Sequence, residues 1–161
     1  MEIHQLIYQS QSLVPFAQDE LVALLANGRA HNATHHITSL LLYTPDGRFL
    51  QVLEGDAGTV HDLYRNRISA DPRQVSCRIY GEGPTQERSF PRWPLGFREA
   101  SANVLRTLLS NVPSDGPGLL VPRPHTRPEL LALLQEFVAH SAVPANQPDP
   151  WTADTRPAGA Y

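Results

Sequence analysis

The chain has 161 residues, of which 41% are hydrophobic and 18% charged, and a formal net charge of −3. That length holds one sizeable core and an appendage rather than two full domains, and the mild acidity offers no basic footprint for nucleic acid. A single cysteine, Cys77, excludes an intrachain disulfide. It suits a reducing cytoplasm, the expected location, since residues 1–5 lack the basic and apolar regions of a signal peptide and no apolar run reaches the roughly 18 residues of a membrane span.

Residues 2–8 read as a first strand with His4, Leu6 and Tyr8 in register, ended by the polar run Gln9-Ser10-Gln11-Ser12. After Pro15, Leu21, Leu24 and Leu25 share a helical face over 17–27, with Asp19 and Glu20 in the first turn and Gly28 as the predicted stop. Asn32 then falls in the following turn. Residues 37–43 form a nearly continuous apolar strand, and Thr44-Pro45-Asp46-Gly47 turns the chain into another over 48–55.

Gln51 stands out in that strand. It alternates with Phe49 and Leu53, so it shares their face. A stranded carboxamide there costs about 1–3 kcal/mol. It needs a protein partner, an exposed face, or a polar ligand lying on the sheet.

A second helix carries Val60, Leu63, Tyr64, Arg67 and Ile68 at helical spacing and ends at Asp71-Pro72. Val75, Cys77 and Ile79 alternate as a fourth strand. Residues 90–97 form a fifth, with Trp93, Leu95 and Phe97 on one face, and Pro91 and Pro94 place it at an edge or make it irregular. The order β-α-β-β-α-β-β predicts an α+β, ferredoxin-like sandwich with two helices on one face of a mixed sheet.

From residue 101 the expectation is a C-terminal helical cap. A short helix over 102–110 leads to a loop with Pro113, Pro117, Pro122 and Pro124. Thr126-Arg127-Pro128-Glu129 then opens a helix striped with Leu130, Leu131, Leu134, Phe137 and Val138. That stripe suits packing on the open sheet face or contact with a partner. Residues 141–161, with Pro144, Pro148, Pro150 and Pro157, have no periodic pattern and read as a disordered tail. The division is therefore 1–100, 101–140 and 141–161.

Tyr8, Asn32 and Gln51 could converge between the two helices, where a phenol and two carboxamides would suit a flat heteroaromatic ligand. Each also has a plain structural role open to it: core tyrosine, turn asparagine, edge glutamine. His31, His35 and His36 invite a metal, with His4 in the first strand. Adjacent residues point apart when extended, however, and no acid or thiol has ligand spacing to them, so no metal is expected. Cys77 has no histidine at a recognisable spacing. The segment after the first strand has neither the arginine nor the glycines of an acylphosphatase-like anion loop.

The ordered set Leu6-Ile7-Tyr8-Gln9-Ser10, Ala30-His31-Asn32-Ala33, Ile37-Thr38, Phe49-Leu50-Gln51-Val52-Leu53-Glu54-Gly55, Asp71-Pro72-Arg73 and Arg88-Ser89-Phe90-Pro91-Arg92-Trp93 resembles the BLUF family, blue-light sensors using flavin. The resemblance spans roughly residues 2–100. It implies FAD between the two helices, with Tyr8 as electron and proton donor and Gln51 as relay to the flavin N5/O4 edge. It also implies Asn32 at the carbonyl and N3 side, and Arg73 near the pyrimidine or phosphate end. Light-driven proton-coupled electron transfer from Tyr8 would leave Gln51 rotated or tautomerised, with a small red shift that recovers in the dark.

The same resemblance implies a photoreceptor rather than an enzyme. Its signal would leave through strand five, by way of Trp93 and Leu95, to the C-terminal helices, a downstream protein partner or the chain's own homo-oligomer. The chain departs from the family at Leu95, where methionine is usual, at Ser39, where glycine is usual and bulk is added near the ligand, and at Gln74, where histidine is common. Pro94 further fixes the strand-five geometry. These departures leave open a flavin-free or photo-inactive interaction module of the same fold.

Overall fold

The computed structural model describes residues 2–109 and 128–140. The element order is β1 (Ile3–Ser12), α1 (Gln18–Thr34), β2 (Thr38–Tyr43), β3 (Arg48–Gly55), α2 (Ala57–Leu63), β4 (Gln74–Thr85), β5 (Gly96–Glu99), α3 (Ala102–Leu109) and α4 (Pro128–His140). The sheet runs β4-β1-β3-β2-β5, with β1 antiparallel to both β3 and β4 and β5 parallel to β2. This is the mixed-sheet, ferredoxin-like α+β arrangement, with one extra edge strand. The proline-bearing loop and tail expected over 111–125 and 141–161 lie outside the described residues.

Alternation along the strands divides the core between the two faces of the sheet. On one face α1 lays Leu21 and Leu25 against Leu41, Phe49, Leu95 and Phe97. Beside it, Val60 and Leu63 of α2 meet Leu6, Ile37 and Leu53. On the other face Ile7, Leu40, Leu42, Leu50 and Val52 are covered by Leu105 of α3 and by Leu130, Leu134 and Val138 of α4. The leucine stripe of α4 is thus buried in core, and Gln135 Nε2 also donates to the Ser89 carbonyl at 2.9 Å.

Three elements run differently from the sequence expectation. β1 continues through its polar run, because as an interior strand it is paired on both sides: Gln11 faces Arg48 of β3, and Ser12 faces Gln74 of β4. The buried hydroxyls are satisfied locally, Ser10 by the Gln74 side chain and Ser12 by the Gly47 carbonyl at 3.0 Å. α1 runs through Gly28 rather than ending there. A Cβ on Gly28 would lie 2.8 Å from Leu95 Cδ2, so this glycine permits a close approach to β5. The extra length, about two turns beyond residue 27, places Asn32 inside the helix and not in a following turn, and His36, at φ 57°, makes the exit.

The third difference is β5, which is confined to Gly96–Glu99. The preceding carbonyls are held from the side: Trp93 O accepts from Ser39 N at 2.9 Å, Pro94 O from Asn32 Nδ2 at 2.7 Å, and Leu95 O from Arg29 Nε at 3.2 Å. Two-residue alternation therefore does not hold before Gly96. Trp93 joins the core beneath α3 and α4, whereas Leu95 and Phe97 join the core beneath α1. The expected common face for the three does not exist. Gly96 leaves room for the indole, since a Cβ there would meet Trp93 Cε3 at 2.0 Å.

α2 passes into a π-helical turn, Tyr64–Ile68. Ser69 N reaches back five residues to the Tyr64 carbonyl at 2.8 Å. The Arg65 carbonyl, which an α-helical Ser69 N would have used, accepts the Ser69 hydroxyl instead at 3.2 Å.

Candidate functional site

A cleft of about 200 Å³ opens between α1 and the π-helical turn, floored by the sheet. Phe49, Leu41, Leu24, Leu63, Ile68 and Leu95 make its apolar walls. Tyr8, Gln51 and Asn32 supply polar groups on the floor and the α1 side, and Arg67, Asp71 and Arg73 stand on the side of the π-helical turn and the loop that follows. An apolar slot with a few convergent polar atoms is what a flat aromatic ligand requires.

Tyr8 and Gln51 are cross-strand neighbours in the β1–β3 register, so their side chains leave the same face of the sheet. The Tyr8 hydroxyl donates to Gln51 Oε1 within the core. Its ring meets Tyr64 edge-on, with centroids 5.3 Å apart. Burial, with Cys77 and Tyr64 adding to it, pushes the Tyr8 phenol well above the usual tyrosine range. Tyr64 is pushed up to about 12, mainly by burial. Tyr8 therefore keeps its hydrogen at any ordinary pH. Gln51 is 7% exposed, and its Nε2 makes no hydrogen bond with any described residue. A nearly buried donor at the cleft without a protein partner fits a ligand acceptor.

Asn32, on the last turn of α1, is 2% exposed. Its Nδ2 is spent on the Pro94 carbonyl at 2.7 Å and the Ser39 hydroxyl at 3.3 Å. What Asn32 has to offer the cleft is Oδ1, whose contact is His31 Nδ1 at 3.4 Å. Ser39 turns its hydroxyl onto Pro94 O at 2.8 Å and is not part of the cleft wall, so the bulk expected near the ligand goes into anchoring residue 94 instead. Gln74 does line the cleft, with its Oε1 held by Ser10.

Arg73 stands at the rim, its guanidinium in a two-pronged pair with Asp71 and 4.9 Å above the Phe16 ring centroid. The hydrogen bond from Arg73 holds the Asp71 carboxyl below the usual carboxylate range. Arg67, which helical spacing places on the face of Val60, Leu63 and Ile68, also lines the cleft from the π-helical turn. The bulge leaves no signature in residue type, so periodicity alone does not find it. Leu95 is a wall of the cleft, while Trp93 stands on the other side of the sheet.

A model of the family described as sensors of blue-light using FAD matches residues 3–96. The chain belongs to the BLUF family. The BLUF domain is accordingly a blue-light photoreceptor that uses FAD. Among curated proteins it is 37% identical over 103 residues to the photoactivated adenylate cyclase subunit beta-like protein FB of Euglena gracilis, covering 63% of this chain and 12% of that protein. It is 36% identical over 91 residues to photoactivated adenylate cyclase subunit beta of Euglena longa, covering 56% and 10%. The chain thus spans about a tenth of the length of the curated relatives it matches.

Among solved structures, the dark state of BlrB, a BLUF protein, aligns with a TM-score of 0.62 and 30% identity over 86% of this chain and 96% of that one. The ground state of BlsA shares the fold, with a TM-score of 0.65 and 24% identity over 97% and 100%. No helix among the described residues is long and apolar enough to cross a membrane.

Proposed function

We propose that this BLUF domain converts blue light into a rotation of the Gln51 carboxamide, read out on the far side of the sheet. The observation that carries the reading is the Tyr8–Gln51 hydrogen bond, which leaves Gln51 Nε2 at the cleft without a partner among the described residues. Bound FAD would supply the chemistry, a chromophore for blue light that becomes an electron and proton acceptor when excited.

Tyr8 is the source of both. A phenol accepts as well as donates, so Tyr8 keeps a hydrogen bond to Gln51 in either orientation of the carboxamide. Each orientation turns a different atom to the cleft, Nε2 as donor or Oε1 as acceptor. Departure and return of the phenolic hydrogen is what lets the carboxamide change hands, and no net reaction is catalysed. Asn32 Oδ1, its amide already committed, would accept from an imide N–H of the ring. Arg73 and Arg67 serve the rim, where a nucleotide's phosphates would emerge.

The signal route follows from residues 93–95. The chain crosses there from the cleft wall at Leu95 to the α3–α4 core at Trp93, and Asn32 holds the carbonyl between them. A shift in the cleft therefore reaches the C-terminal helices, and through them a downstream protein or a second copy of the chain. The test is the absorption spectrum of the purified protein in the dark and just after blue light. A bound flavin with a small red shift that reverses in the dark is the expected result. Bound flavin without a shift would overturn the switch and leave a photo-inactive interaction module.

A further inference from the structure

His4 on β1, His61 on α2 and Glu82 on β4 come together at the end of the sheet away from the cleft mouth. Leu6 and Glu82 are register partners, so Glu82 and His4 project from the helix-bearing face, and α2 lays His61 over them. Glu82 Oε1 lies 2.8 Å from His4 Nε2 and 2.5 Å from His61 Nε2. The ligand atoms of all three residues lie within 4.8 Å of one another. The side chains are 16%, 31% and 26% exposed, open enough for an ion and a water to enter and closed enough to be held in place.

The arrangement is redundant as a hydrogen-bond network. Two imidazoles crowd one carboxylate oxygen, while Glu82 Oε2 and the Nδ1 atoms of both rings have no hydrogen-bond partner among the described residues. Two imidazole nitrogens and a carboxylate from three different elements form a donor set typical of borderline divalent metals.

We propose that His4 Nε2, His61 Nε2 and Glu82 form a three-ligand site for a divalent cation of the zinc class, with water completing the coordination. Tetrahedral bonds of about 2.0–2.2 Å put ligand atoms roughly 3.4 Å apart, so Glu82 Oε1 draws back by about 0.6 Å from His4 Nε2 and about 0.9 Å from His61 Nε2 to admit the ion. Each ring moves its proton from Nε2 to Nδ1, which has no hydrogen-bond partner among the described residues. Binding therefore releases no net proton from neutral rings. The ion would fasten α2 to β1 and β4, two residues along the same strand face from Leu6 and four from Tyr8. With no partner on either Nδ1 among the described residues, the rings lack the outer hydrogen bonds whose loss elsewhere weakens metal sites about 10–100-fold. The site is expected to exchange its metal readily.

The experiment is calorimetric titration of the full, FAD-loaded chain with zinc chloride after removal of metal by chelator, using protein freed of any histidine tag. One saturable equivalent is expected, reversed by chelator. His61→Ala and Glu82→Gln should each weaken it at least about tenfold, with the flavin spectrum of each variant reporting that the fold is intact. His35→Ala, in the separate His31–His35 stack with centroids 4.1 Å apart, should leave the zinc isotherm unchanged. Absence of saturable binding by the unmodified chain would overturn the proposal. So would unchanged affinity in both His61→Ala and Glu82→Gln, or loss of the site in His35→Ala.

Discussion

Gln51 has two polar atoms and one protein partner, and the imbalance makes its substitution informative. Gln51→Leu keeps the bulk and loses both hydrogen-bonding atoms. FAD should remain bound, because the apolar walls are untouched, and the light-induced red shift should vanish in difference spectra. Tyr8→Phe should also abolish the shift. It further leaves Gln51 Oε1 without its donor, so the flavin-free protein should lose about 1–3 kcal/mol in urea unfolding. A normal shift in either variant would contradict the relay. Tyr8 and Gln51 were legible from the two-residue period of their strands. Asn32 was legible as a polar residue near the site, though its placement in a turn came from ending α1 about two helical turns early. The His4–His61–Glu82 cluster was not legible, because its members come from three elements and no spacing rule links them; sequence proximity drew attention to His31, His35 and His36 instead.

Glycine illustrates the same limit for whole elements. In sequence, Gly28 looks like a helix stop, and only the approach of Leu95 shows why the helix runs on. Strand existence and order were readable from alternation and turn chemistry. The ends of β1, α1 and β5 were not, because tertiary pairing decided them. Gly28→Ala adds a methyl group where 2.8 Å separates the Cβ position from a leucine. Overpacking of this kind costs about 1–3 kcal/mol, offset by up to about 1 kcal/mol from the helix preference of alanine over glycine within α1. The expected outcome is a lower urea midpoint together with a changed dark-recovery rate, since Leu95 is also a wall of the cleft. Leu134→Ala on α4 removes a side chain that is 1% exposed. It should cost about 2–5 kcal/mol while leaving the position of the dark flavin band unchanged, because α4 covers the opposite face.

For the molecule as a whole, the buried phenols set an alkaline limit. Tyr8 and Tyr64 both have raised pKa values in the folded state, whereas in the unfolded chain they ionise near 10. Above that pH the unfolded state releases protons that the folded state retains. Stability is therefore full below about pH 10 and declines as pH rises through the interval up to the folded values. Urea midpoints of the flavin-free protein measured from pH 8 to 11 should be flat at first and then fall. Tyr8→Phe should soften the fall, and an unchanged alkaline slope in that variant would contradict the assignment.

The π-helical turn has a consequence for how such chains vary. It holds one more residue than an α-helical turn would, and that residue is absorbed within the turn, so it alters the placement of the residues inside it rather than of those that follow. Deleting one residue between Tyr64 and Ile68 would restore an ordinary helix with no loss of hydrogen bonds. It would also shift Arg67 and Ile68, which lie inside the turn, around the helix axis and so move them relative to the cleft. The rim is thus specified by a count of residues rather than by their identities. A relative one residue shorter here could match this chain at almost every position and still present a different rim to its ligand.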